Sequence, residues 1–316
     1  MKPKNCLIFG ASGHIGRYLI RKLTKNNYKV IAVTRSIHRK AYILKTQANA
    51  GYLDIVETSI FDEAGLIKLI KKTDICINLV GILFEKGKNN SFKNIHTNFP
   101  DILSKLCNEY KVKKLIHLSA LGIDEAKDSK YAQSKLNGEI LIKENFERTV
   151  ILRPSVIYSV DDNFTTSFMT LLNRLPVFPL YYNGNTKFMP IHCSDVANII
   201  FYVIEKDISN EIIECIGPEQ FTLKEIITKL LKLIRKKRLL VSLPLFVANF
   251  TAFIFQLFPK PLITIDQIKL LKYDNIKSGK YKNNIDLGLK HLANFETEVE
   301  KYCYMWREAG QFSKKK

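Results

Sequence analysis

Paired cysteines are missing from this sequence. Its six cysteines, Cys6, Cys76, Cys107, Cys193, Cys215 and Cys303, lie far apart, with no Cys-x-x-Cys pair and no Cys/His cluster at zinc spacing. That spacing excludes a structural metal and points to a reducing compartment. Cys6 in NCLIFG and Cys76 in DICINLVG sit in apolar runs, where a free thiol behaves as a small buried hydrophobe. Acids are also in deficit: 30 Asp and Glu stand against 49 Lys and Arg, a net charge of +19. Such a balance suits a polyanionic partner, whether a nucleotide, a nucleic acid or an anionic membrane face. The bases are not interleaved with aromatics as a stacking groove requires, which argues against nucleic acid. Internal repeats are absent, and low complexity is confined to Lys314–Lys316, expected to be a solvated tail. Met1-Lys2-Pro3-Lys4 runs directly into a strand-like segment and leaves no room for a targeting peptide, so a cytoplasmic chain is expected.

What is present is a large apolar fraction, 46% of 316 residues, which supplies a sizeable core and excludes disorder, collagen and small disulfide scaffolds. Short β-branched runs alternate with amphipathic stretches through the first half. Strands are expected at Cys6–Phe9, Val30–Val33, Asp54–Glu57, Ile75–Val80, Leu115–Ser119 and Thr149–Leu152, and helices at Ile15–Thr24, Glu63–Lys71, Pro100–Tyr110 and Tyr131–Asn145. This rhythm predicts an α/β fold, a Rossmann doubly wound parallel sheet buried on both faces. A dinucleotide-binding domain over 1–160 is expected, its core rejoined by 189–205, followed by a smaller, mainly helical C-terminal subdomain over 161–316.

Directly after the first strand run comes Gly10-Ala11-Ser12-Gly13-His14-Ile15-Gly16, a G-x-x-G-x-x-G loop opening a helix. Lacking side chains, it lets the backbone approach a pyrophosphate, whose charge the helix N–H groups then stabilise. Arg35 stands where an NAD-binding chain usually carries Asp or Glu for the ribose 2′-hydroxyl, and Arg39 follows. A guanidinium offers a 2′-phosphate charge-assisted hydrogen bonds, so NADP(H) is expected in preference to NAD(H).

Ser119 closes the fifth strand run, and Tyr131 and Lys135 lie four residues apart on one helix face. An ammonium so placed is expected to lower the phenol pKa and let Tyr131 exchange a proton beside a nicotinamide, with Ser119 holding the reacting oxygen. With these marks, Asn78-Leu79-Val80-Gly81 and Leu152-Arg153-Pro154, the chain resembles the extended and atypical short-chain dehydrogenase/reductase family. The resemblance implies that Leu79, Val80 and Gly81 lie along the cofactor and that Pro154 and Val156 pack near its nicotinamide. It implies that Ser119, Tyr131 and Lys135 are the catalytic set, and that His96 replaces the asparagine of the usual proton relay. Such relatives include NAD-dependent epimerases and dehydratases and NADP-dependent reductases.

A second set of segments spans nearly the whole chain: His117–Gly122, Ser129-Lys130-Tyr131, Asp162-Asn163-Phe164, Met189-Pro190-Ile191, Asp195-Val196-Ala197, and Ile265–Ile268 with Asp274-Asn275. Together they are similar to the NADPH-binding accessory subunits of the alpha subcomplex of respiratory complex I (NADH:ubiquinone oxidoreductase) and their bacterial homologues. That resemblance implies tightly bound NADPH, a structural or assembly role, and complex I or another inner-membrane protein as partner.

Leu223–Arg238 carries apolar residues at helical spacing and bases concentrated at its C-terminal end, where cations complement the helix dipole. Leu239–Phe258 then has no charge, yet Pro244, Asn249, Thr251 and Gln256 interrupt it. A buried or interface-facing helix is expected rather than a bilayer span, and the bases beside it suit a peripheral contact on the cytoplasmic face of the inner membrane.

Overall fold

The computed structural model describes residues 3–256, 258, 261–308 and 310. Six strands open the chain: β1 (Asn5–Phe9), β2 (Lys29–Thr34), β3 (Leu53–Glu57), β4 (Ile75–Asn78), β5 (Lys114–Leu118) and β6 (Thr149–Pro154). The helices α1 (His14–Lys25), α2 (Ile37–Lys45), α3 (Glu63–Ile70), α4 (Phe99–Glu109) and α5 (Lys130–Asn145) separate them. All pair in parallel in the order β6-β5-β4-β1-β2-β3, and the sheet continues beyond β6 with strands Glu211–Cys215 and Lys282–Asn283. The doubly wound parallel sheet is therefore present, and it recruits two strands from beyond residue 205.

The alternation along β1 explains why the sheet needs helices on both faces. Cys6 and Ile8 enter a core with Leu19, Ile20 and Leu23 of α1 and Val196, Ile199, Ile200 and Val203 of α7 (Cys193–Glu205, after α6 at Thr165–Arg174). Leu7 and Phe9 enter the opposite core with Leu66 and Ile70 of α3, Phe99 and Leu103 of α4, and Ile142 of α5. Successive side chains point to opposite faces, so a strand buried on both reads as an unbroken apolar run. All six cysteines are buried and free.

Four segments depart from the sequence reading. α2 was not anticipated, because only Leu44 of its nine residues is buried and its apolar signal is weak. A π-helical turn, Lys93–Asn98, precedes α4 and carries His96 inward. The basic helix, α8 (Leu223–Ile234), is shorter than its basic run: Arg235 turns left-handed (φ +58°), so Lys236–Arg238 lie outside the helix and Lys232 is the only base in its last turn. The apolar run Leu239–Phe258 is no single helix either. Leu239–Ser242 pairs in parallel with Val177–Leu180, Pro244 interrupts, and α9 (Leu245–Phe255) follows. Among the described residues no helix is long and apolar enough to cross a membrane. The Lys314–Lys316 tail, Met1-Lys2 and Leu257 of the apolar run lie outside the described residues.

Candidate nucleotide site

Strand order reverses between β1 and β4, and the crevice at that switch point is where an open parallel sheet takes a ligand. Gly10 makes the turn out of β1 at φ +78°, and a Cβ there would press to 3.0 Å from the Leu79 carbonyl carbon. Gly16 is required for packing, since a Cβ would lie 2.3 Å from the Ala11 carbonyl oxygen. Gly13 differs: a Cβ would meet only the Gly10 oxygen, at 3.2 Å, and face open space beyond it. Gly13 also N-caps α1 without a side-chain hydrogen bond, and α1 has no acid in its first turn. Ser12, His14 and Ile15 complete the loop, with Ile15 buried into the core. Unblocked N–H groups behind a side-chain-free approach fit a pyrophosphate.

One carboxylate intrudes on that cradle. Asp161, from the loop after β6, accepts from His14 Nδ1 at 3.0 Å and from Arg17 Nη2. Burial raises its pKa, but hydrogen bonds from Arg17 and His14 outweigh that and hold the carboxyl below its usual range. Spacing gave no signal for this bridge across 144 residues.

Arg35 directly follows β2 and Arg39 lies on the first turns of α2; both are exposed, and neither guanidinium has an acceptor among the described residues. Opposite them, β4 ends at Asn78, shorter than expected, because the Asn78 side chain turns the chain by accepting from Val80 N at 3.0 Å. Leu79 N still donates to Phe9 O at 3.0 Å, tying this segment to the end of β1. A Cβ on Gly81 would lie 3.4 Å from Lys135 Nζ and 3.8 Å from His96 Nε2, so a bare backbone here keeps the space above these two groups open.

The remaining groups converge on that point. Lys135, 3% exposed, donates to Leu118 O at 3.0 Å. His96 Nε2 accepts from Ile82 N at 3.1 Å, so its proton sits on Nδ1, facing Ser134 Oγ at 3.0 Å. Burial, then the charge of Lys135, pushes the His96 pKa down to about 2 and keeps the ring neutral. Tyr131 packs edge-on to His96, with ring centroids 5.2 Å apart. The expected lowering of the phenol pKa is absent: burial pushes Tyr131 up to about 12, while burial lowers Lys135 to about 8 against a partial offset from Glu139. Desolvation disfavours each charged form, and here it outweighs any pull of the ammonium on the phenol. Ser119 is buried and its Oγ has no partner among the described residues; the same holds for His117 Nε2, whose Nδ1 accepts from Asn78 Nδ2 at 3.1 Å. An orphaned hydroxyl, two unused Lys135 N–H groups and the open phosphate cradle fit a dinucleotide with a polar reacting end.

Two side chains distant in sequence hold this set in place. Asp266 caps α5, accepting from Ser129 Oγ, Lys130 N and Tyr131 N at 2.7–3.0 Å. Asn275 accepts from Val156 N at 3.0 Å and from Ser155 Oγ, and donates to Leu121 O. Pro154 O accepts from Leu121 N at 2.9 Å. Beside Pro154, Arg153 makes paired hydrogen bonds to Glu139 of α5 and to Asp124, at 2.6–3.2 Å. It ties the last strand to the helix bearing Lys135 and does not project into the crevice as a free cation.

Comparison with known proteins agrees with this geometry. Over 293 residues the chain is 25% identical to the mitochondrial NADH-ubiquinone oxidoreductase 40 kDa subunit of Neurospora crassa, covering 91% of this chain and 76% of that one. It is 25% identical over 305 residues to the mitochondrial NADH dehydrogenase [ubiquinone] 1 alpha subcomplex subunit 9 of Mus musculus, covering 95% and 81%. Its fold superimposes on the dTDP-glucose 4,6-dehydratase of Streptomyces venezuelae, solved with NAD and TYD bound, with a TM-score of 0.70 over 96% of each chain at 16% identity. Residues 6–215 match the model of a nucleotide-cofactor-binding family. The chain belongs to the NAD dependent epimerase/dehydratase family.

Proposed function

We propose that this chain is an NADP(H)-binding accessory or assembly component of a complex I-type membrane assembly, positioned on the cytoplasmic face of the inner membrane. The observation that carries the reading is the extent of the similarity to complex I subunits: it covers 91% and 95% of the chain and so continues past residue 215, where the family match ends. Arg35 and Arg39, without partners among the described residues, support NADP(H) over NAD(H), because an isolated guanidinium binds a 2′-phosphate without first breaking an ion pair. In this reading Gly10–Gly16 receives the pyrophosphate, Leu79–Gly81 lies along the cofactor, and Tyr131 and Lys135 hold ribose hydroxyls. Pro154 and Val156 wall the nicotinamide end.

A bound nicotinamide supplies or accepts hydride. A second reading, a reductase or epimerase, is favoured by the buried Ser119 hydroxyl without a partner. In it Ser119 orients a carbonyl oxygen, and Tyr131, protonated with a pKa of about 12, gives up a proton to that oxygen. Lys135 helps to stabilise the phenolate left behind. His96, neutral and with both ring nitrogens engaged, orients the Tyr131 ring and passes no proton.

Copurification decides between the readings. Tagged protein extracted in mild detergent should bring down respiratory-chain subunits and bound NADPH. A wholly free chain that oxidises NADPH with a defined carbonyl compound, and loses that activity in Tyr131→Phe, establishes the enzyme instead.

A further inference from the structure

Helix α9 is built inside out for a water-exposed surface. Its small residues Ala248 and Ala252 are buried, whereas Phe246, Phe250 and Phe253 are 76%, 65% and 59% exposed. Leu245 and Ile254 add to this exposed set, and Phe258 and Leu262 continue it beyond the helix. On the preceding strand pair, Leu239 and its register partner Val177 are exposed as well. A monomer in water gains nothing from such an arrangement, so the face is shaped for a second, apolar phase.

Charge identifies that phase. Between Glu225 and Asp266 the chain carries seven bases and no acid, although one of them, Lys229, is paired with Glu296. Asp266 itself is turned onto the N-terminus of α5. Lys236 and Lys237 precede the half-exposed strand, separated from it by Arg238, and have no carboxylate partner among the described residues. Outward-facing α9 offers little to specify a protein partner: it has no charged residue, Thr251 Oγ1 is satisfied internally by Ala248 O, and Asn249 is its single exposed polar side chain. A protein interface needs about one hydrogen bond per 100–200 Å², whereas a bilayer surface asks only for apolar side chains below the headgroups and cations among them. At 11 residues, α9 is about 16 Å long, too short for a hydrocarbon core of about 30 Å, so it must lie in the plane of the interface.

We propose that α9, with the flanking strand Leu239–Ser242 and Lys236-Lys237, is a peripheral docking surface for an anionic lipid bilayer, its phenylalanines inserted at the headgroup boundary. This inference does not depend on the cofactor reading, since docking is measured without nucleotide. The test is flotation of the full chain with vesicles of 3:1 phosphatidylcholine:phosphatidylglycerol and, separately, of phosphatidylcholine alone. The wild type should bind the anionic vesicles at least tenfold more strongly, and the difference should shrink in 0.5 M salt. Lys236→Glu/Lys237→Glu should remove most of that difference, at about fivefold for each neutralised cation and more for reversal. Phe246→Ser/Phe250→Ser/Phe253→Ser should lower binding to both vesicles by tenfold or more while leaving the circular-dichroism melt unchanged, because these rings are already exposed. Wild-type binding to neither vesicle, or binding unaffected by both variants, overturns the proposal. A dimer in sedimentation that the triple serine variant converts to monomer also overturns it, assigning the face to a second copy of the chain.

Discussion

A guanidinium at the end of β2 and an ammonium buried in α5 stand in opposite relations to solvent at this crevice. Arg35 is exposed and has no partner among the described residues, so in the proposed NADP(H) reading its contribution is a charge-assisted phosphate contact worth roughly 1.5–3 kcal/mol. Arg35→Glu is therefore expected to weaken NADPH binding tenfold or more while changing NADH binding little; calorimetry with both cofactors checks this. Lys135 is buried, and burial lowers its pKa to about 8. Below pH 8 the group is charged in both the folded and the unfolded chain, and the burial penalty is fully expressed. Between pH 8 and about 10.5 the folded chain sheds this proton before the unfolded chain does, so this residue's contribution to stability improves as pH rises, by at most about 3 kcal/mol. Denaturant melts across that window should show the rise in the wild type relative to Lys135→Met, in which the titrating group is gone. That Arg35 and Lys135 are candidates for the cofactor site was legible in the sequence. The sign of the pKa changes was not, because spacing on a helix says nothing of how completely the phenol and ammonium are taken out of water.

Within single elements, position decides whether a glycine serves the fold or the ligand. Gly13→Val faces open space in the protein alone, so the apo chain should melt almost as the wild type does while cofactor binding is lost. Gly16→Ala drives a Cβ into the Ala11 carbonyl and should destabilise the apo chain by about 1–3 kcal/mol. Thermal melts with and without NADPH separate these outcomes, although the G-x-x-G-x-x-G pattern presents both glycines alike. Strand β6 is held by its arginine: Arg153→Met leaves Glu139, itself buried, without its cation, and an uncompensated buried charge costs about 3–5 kcal/mol. Urea unfolding should reveal a loss of that size, and a Glu139→Gln companion change should recover part of it. Periodicity found the strands and helices of the first half because their burial is two-sided or striped. It missed α2, which buries one side chain, and it merged Leu239–Phe258, where apolar content is high but the environment changes from paired strand to exposed helix.

For the molecule as a whole, a ligand that binds only the folded state stabilises it by mass action. NADPH at a hundred times its dissociation constant adds about 2.7 kcal/mol. Tyr131→Phe should keep most of the resulting rise in melting temperature if the cofactor is structural, since the ring still packs on His96 and Phe92. The hydroxyl is one ribose contact among many, so loss of the whole rise on removing it would mean that the phenol, and not the phosphate loop, carries most of the binding.

The parallel α/β architecture, the phosphate loop and the candidate set Ser119, Tyr131 and Lys135 follow from the sequence by itself, because each depends on local pattern: apolar runs, glycines between a strand and a helix, two residues one helical turn apart. Only the tertiary structure decided what those residues experience. Asp161 reaches His14 and Arg17, Asp266 caps the helix of Tyr131, and Asn275 braces Val156, each across more than a hundred residues. Hydrogen bonds of that range, and the depth of burial that moves a pKa, are properties of packing, and packing has no period along a chain.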